Sequence, residues 1–95
     1  MSSLEDVRQE IAALDLCIIE LITQRQHLAG TLTHIKHQEG LPIRDEEQRK
    51  MVLERAFECA VENNIDPVSI QAIFGILVEM SEERQRECSG EGNLP

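Results

Sequence analysis

The chain has 95 residues, enough for one domain, with 41% hydrophobic residues but only two Phe and neither Trp nor Tyr. Nine Lys+Arg against eighteen Asp+Glu leave a formal net charge of −9, the wrong sign for a nucleic-acid binder, which needs a basic footprint. Strand-type alternation is absent, so the composition points to an all-α fold with a core of Leu, Ile and Val plus Phe57 and Phe74. The first element is a long apolar repeat. Leu4, Val7, Ile11, Leu14, Ile18, Leu21, Leu28, Leu32 and Ile35 recur at alternating spacings of three and four, the mark of one helical face. It predicts a helix from about Leu4 to about His37, capped by Ser2 or Ser3, with Glu5 and Asp6 in the first turn.

Such a helix is about 50 Å long, whereas a compact globule of this length is only about 30 Å across. Either it bends near Gly30 or a second chain covers the overhang. The repeat keeps its phase through Gly30, which favours a homodimer interleaved through the long helix.

Gly40 and Pro42 end the first helix. Asp45 opens the second, with Gln48 at capping-box spacing, and its expected buried face is Val52, Leu53, Ala56, Phe57, Ala60 and Val61. Asn63-Asn64 is its stop. Asp66-Pro67 restarts the chain as an N-cap followed by Pro at the first helical position. The third helix is expected over roughly Pro67 to Glu87, with Ile70, Ile73, Phe74, Leu77 and Met80 inward. Residues 1–87 then form the domain, and 88–95, without periodicity, a flexible tail. Three cysteines far apart, Cys17, Cys59 and Cys88, read as free thiols in a reducing compartment. The acidic N-terminus does not read as a signal peptide, so none is expected, and no stretch has the apolar length of a membrane span. The expectation is a soluble cytoplasmic protein with no membrane or nucleic-acid partner.

Polar residues on the apolar faces are the candidates for function. Arg25 falls where the first repeat calls for an apolar residue, and Lys36 follows eleven residues on, about 16 Å along the same face. Ala29 and Leu32 lie between them. Two cations flanking a small apolar floor suit a compact anion; alternatively, their stems line the core edge and their heads sit in water. Arg8 is about 25 Å from Arg25 along the helix, but antiparallel packing of two chains would bring Arg8 of one near Arg25 of the other. Ser81 and Gln85, four residues apart, continue the stripe of Ile70, Phe74 and Leu77. Asp45, Gln48 and Arg49 stand at the mouth of the core, with capping part of Asp45's task. His34 and His37 lack a third ligand nearby, so no metal site is expected. No phosphate loop, Ser-His-Asp pattern or activated cysteine occurs. Glu46-Glu47 and Glu82-Glu83 read as solvated helix surface.

Together these residues resemble the all-helical class of chorismate mutase. The likeness runs from about Leu4 to Arg86. It is carried by Val7 to Asp15, by Leu21-Ile-Thr-Gln-Arg25-Gln-His-Leu-Ala29, and by Lys36 followed by Gly40-Leu-Pro-Ile-Arg-Asp45. The resemblance implies three helices per chain in an intertwined homodimer whose two sites each draw on both chains. It also implies the cofactor-free rearrangement of chorismate to prephenate, with no metal. Arg25 and the second chain's Arg8 would clamp the substrate carboxylates. Lys36 and Gln85 would donate to the ether oxygen, Asp45 would bear on the ring hydroxyl, Ser81 would help seat the ring carboxylate, and Leu32 would line the floor. One departure stands out. The family usually has Arg then Glu one turn after the Asp, the Glu binding the hydroxyl, whereas this chain has Gln48 and Arg49. The alternatives are an isochorismate pyruvate-lyase, sharing fold and clamp, or a non-catalytic helical dimerisation or regulatory module.

Overall fold

The structure is a computed structural model, and it describes residues 3–89. Three helices account for nearly all of them: α1 (Leu4–Glu39), α2 (Glu46–Glu62) and α3 (Pro67–Ser89). The expected all-α architecture of one long and two shorter helices is what forms.

Local chemistry sets the boundaries. Ser3 caps α1 through a reciprocal box with Asp6: the Asp6 amide donates to Ser3 Oγ (3.0 Å) and the Ser3 amide to Asp6 Oδ2 (3.2 Å). α1 runs unbroken through Gly30 for 36 residues and ends at Gly40, which takes a left-handed φ of 69°. The Leu41 amide reaches back to the Lys36 carbonyl (2.8 Å), satisfying one of the carbonyls that the helix end leaves open. Asp45 caps α2 by accepting the Gln48 amide at 3.0 Å. Asn64, at φ 57°, turns the chain after α2. Asp66 then opens α3 by accepting from the Val68 amide and the Ser69 hydroxyl. α3 continues through Cys88 and Ser89, two residues beyond the expected domain boundary; the rest of the expected tail, residues 90–95, lies outside the described residues.

α3 is the spine. α1 and α2 both pack on it and, among the described residues, not on each other. Contacts between α1 and α3 climb together, Arg25 to Leu77 and Thr33 to Gln85, so these helices run parallel. Contacts between α2 and α3 run oppositely, Arg49 meeting Glu82 while Gln71 meets Leu53. The gap between α1 and α2, floored by α3, is where the polar residues of the apolar faces collect.

The buried core is small: Ala29, Val52, Ala56, Ala60 and Val78. Several expected core positions are not in it. Phe57, Val61, Ile73 and Met80 are exposed, and Leu53, Ile70, Phe74 and Leu77 are half-buried. Helical phase explains the shift. α2 meets α3 along Val52-Ala56-Ala60, a ridge at i, i+4, i+8 whose small alanines permit close approach. Phe57 and Val61 lie one position off that ridge.

Among the described residues, the N-terminal half of α1 is left uncovered. Every residue from Leu4 to Leu21 is exposed, including Ile11, Leu14 and Ile18 of the apolar face. The molecule measures 56 × 30 × 18 Å with a radius of gyration of 16.8 Å, against about 12 Å for a compact domain of this length.

Candidate functional site

Residues from all three helices and the α1–α2 loop line one cavity of about 140 Å³. α1 contributes Arg25, Leu32 and Lys36; the loop, Ile43 and Asp45; α2, Gln48, Arg49 and Val52; and α3, Val78, Ser81, Glu82 and Gln85. Every site residue expected from the sequence except Arg8 is therefore brought together, from positions as far apart as 25 and 85. Arg8 is exposed on the overhanging half of α1, about 25 Å from Arg25.

The two cations that α1 brings to the cavity are fixed rather than trailing in solvent. Arg25 is half-buried, and its Nη1 donates to the Leu77 carbonyl at 2.9 Å. Loss of hydration on burial lowers its pKa from the usual guanidinium value, and the charge of Arg55 adds to the effect. Lys36 Nζ donates to the Ile43 carbonyl at 2.6 Å, tying the α1–α2 loop to the helix. A guanidinium carries five N–H donors and an ammonium three, so each keeps donors for a ligand.

On α3, Gln85 is only 3% exposed. Its Nε2 donates to Ser81 Oγ at 3.3 Å, while its Oε1 is buried without a hydrogen-bond partner. An orphaned buried amide oxygen is uncommon. A half-turn of the amide lets Oε1 accept from the Ser81 hydroxyl and frees Nε2 for a ligand. Asp45 is exposed, with Oδ1 engaged by the Gln48 amide. The Gln48 side chain lines the cavity.

Glu82 corrects the sequence reading. It is 8% exposed, not solvated surface, and its Oε1 accepts from Arg49 Nη1 at 3.0 Å. Arg49 also lies 3.7 Å from Glu79 Oε1. The signal for Glu82 was present: it falls four residues after Val78 and three before Gln85, on the same helical stripe. Ile43 and Val78, too, were missed as lining residues. Among the described residues, no group of three or more His, Cys, Asp or Glu is placed to hold a metal.

The cavity thus presents the anchored guanidinium of Arg25, the anchored ammonium of Lys36 and the buried amide of Gln85, with the Arg49–Glu82 ion pair and Asp45 in the same wall. Its serine hydroxyl, on Ser81, is hydrogen-bonded to the Gln85 amide. Such a set of groups can bind a small anion and hold donors against it. The sequence profile of the type II chorismate mutase family matches residues 7–86, and the chain belongs to that family. It is 33% identical over 87 residues to a chorismate mutase of Methanocaldococcus jannaschii, a match covering 92% of this chain and 88% of that one. A bifunctional chorismate mutase/prephenate dehydratase of Buchnera aphidicola subsp. Schizaphis graminum is 30% identical over 80 residues, 84% of this chain but 21% of the larger protein. The T-protein of Haemophilus influenzae is 44% identical over 43 residues, 45% of this chain and 11% of that protein. Among the described residues, no helix is long and apolar enough to cross a membrane.

Proposed function

We propose that this chain rearranges chorismate to prephenate in the cavity between α1, α2 and α3. The observation that carries the reading is the meeting of Arg25, Lys36 and Gln85 in one cavity of a chain of this family. The reaction is an isomerisation: one C–C bond forms as the ether C–O bond breaks, with no net proton transfer. Rate enhancement comes from holding the compact reactive conformer and from stabilising negative charge as it grows on the ether oxygen. The Arg25 guanidinium suits a carboxylate of the substrate. Lys36 and Gln85 supply donors to the ether oxygen, pre-aimed because Lys36 is anchored on Ile43 and Gln85 is buried beside Ser81. Ser81 supports the ring carboxylate, Leu32 the floor, and Asp45, Gln48 and Arg49 the mouth.

The site is completed by a second copy of the chain. A cavity of about 140 Å³ is below the roughly 300 Å³ at the low end for small-molecule sites, and Arg25 is its one guanidinium not already paired with a carboxylate, set against a dicarboxylate substrate. The exposed apolar half of α1 needs a cover. An intertwined homodimer supplies both: it buries the overhang and carries Arg8 of the second copy to the cavity. The net charge of −9 does not forbid an anionic substrate, because cations in a confined cleft dominate locally. The test follows prephenate from chorismate and, separately, pyruvate with salicylate from isochorismate. Prephenate from chorismate is expected. Turnover of isochorismate alone would replace the mutase by the lyase, and turnover of neither would leave a non-catalytic module.

A further inference from the structure

Chorismate offers a protein two carboxylates, an ether oxygen and one ring hydroxyl, and at neutral pH the hydroxyl is its only hydrogen-bond donor. A carboxylate in the wall of its cavity therefore has one favourable use and two unfavourable neighbours. The cavity has two such groups, Asp45 and Glu82. Asp45 is exposed and already caps α2 through Oδ1. Glu82 has a side chain nine-tenths buried, one turn from the apolar Val78, and bound to Arg49. An ion pair in such a place is at best neutral to stability relative to apolar packing. Its guanidinium does, however, offset the repulsion between Glu82 and a dianion. The contact with Arg49 uses Oε1, and a carboxylate has about four acceptor sites in all.

We propose that Glu82, held by Arg49, accepts the hydrogen bond of the chorismate ring hydroxyl and determines this chain's specificity for it. The assignment rests on the mutase reading of the same cavity. Arg49 is a positioning residue, acting through Glu82. A buried carboxylate acceptor left unpaired is what penalises a substrate without the hydroxyl.

The experiment compares kcat/KM for chorismate and for its analogue lacking the ring hydroxyl, in the unaltered dimer and in Glu82→Met, which keeps volume and removes both oxygens. Turnover of chorismate should fall by about 10- to 100-fold, the worth of a hydrogen bond to a charged group, while turnover of the analogue changes by less than about threefold. Equal losses on both substrates would make Glu82 a structural residue and overturn the proposal. So would a hydroxyl-dependent loss in Asp45→Asn with none in Glu82→Met. If Glu82→Met does not fold, Arg49→Lys carries the same comparison, since it keeps the charge but loses the planar grip on Glu82; a loss confined to chorismate is again expected, and an equal loss again overturns. Lys36→Ala separates this inference from the one beneath it. Retained turnover of both substrates in Lys36→Ala removes the site itself, whereas an inactive Lys36→Ala beside an indifferent Glu82→Met removes only the role of Glu82.

Discussion

From Leu4 to Leu21, α1 carries apolar residues at helical spacing and buries none of them; from Arg25 to Lys36 the same helix is anchored on α3 and on the loop that follows it. Ala29 and Thr33 are buried only in this second stretch. The two halves share a pattern and differ in what they meet. The C-terminal half has small residues where α3 crosses, while the N-terminal half extends beyond both other helices. The proposed second chain would cover this apolar face, which its own chain leaves exposed, and Arg8 borders it.

The sharpest way to break that comparison is to disable each half separately. Lys36→Ala removes the donor proposed for the ether oxygen and should lower kcat by about 100- to 1,000-fold. Arg8→Ala should also impair turnover, although Arg8 is exposed in its own chain, about 25 Å from Arg25. Co-refolded at equal amounts, the two variants should regain about a quarter of the unaltered activity. Half of random dimers are mixed, and each mixed dimer has one site with both residues intact. Absence of any recovery would mean that Arg8 and Lys36 do not act across chains.

Ile18→Glu tests the overhang directly. In a chain that stays single this exposed substitution should matter little, within about 0.5 kcal/mol. In the interleaved dimer it places an unpaired carboxylate in an apolar interface, and sedimentation should shift from two chains towards one, with loss of activity. Unchanged mass and stability would leave the N-terminal half as a solvated rod. Within the packed half, Ala29→Leu forces a larger side chain into a position only 2% exposed. Overpacking of this kind costs about 1–3 kcal/mol, read as a lower urea midpoint with an unchanged slope.

The sequence disclosed elements and caps because these are local: Ser3, Gly40, Asp45 and Asp66-Pro67 each act within a few residues of themselves. It disclosed most of the cavity for a related reason, since Arg25, Lys36 and Gln85 are polar breaks in periodic apolar faces. It was poorer on helix phase. Phe57 and Val61 looked like core because they are apolar, but contact with α3 is decided by the small ridge Ala56-Ala60. It failed at Glu82, where two adjacent acids suggested solvent although the stripe of Val78 and Gln85 points inward, and where the partner, Arg49, lies across the α2–α3 contact. Arg49, odd beside the family pattern, is matched by that buried carboxylate, a relation spanning 33 residues that no local pattern shows.

The smallest effect concerns the start of α3, whose position fixes Ser81, Glu82 and Gln85. Asp66 has its pKa lowered from the ordinary value of 3.8, chiefly by the Ser69 hydroxyl; desolvation opposes this, and the backbone amides of Val68 and Ser69 add to the lowering. A carboxyl lowered on folding favours the folded state when ionised. That contribution is complete above the unfolded value and is lost as pH falls through the folded one. Asp66→Asn keeps an oxygen for capping and removes the titration. Near neutral pH the variant should melt within a few degrees of the unaltered chain. Below about pH 4, the ordinary range for Asp, the unaltered chain should lose its advantage and the two melting curves should converge. Melting temperatures that stay apart by the same margin from pH 7 down to pH 3 would show that the Asp66 charge has no part in holding α3.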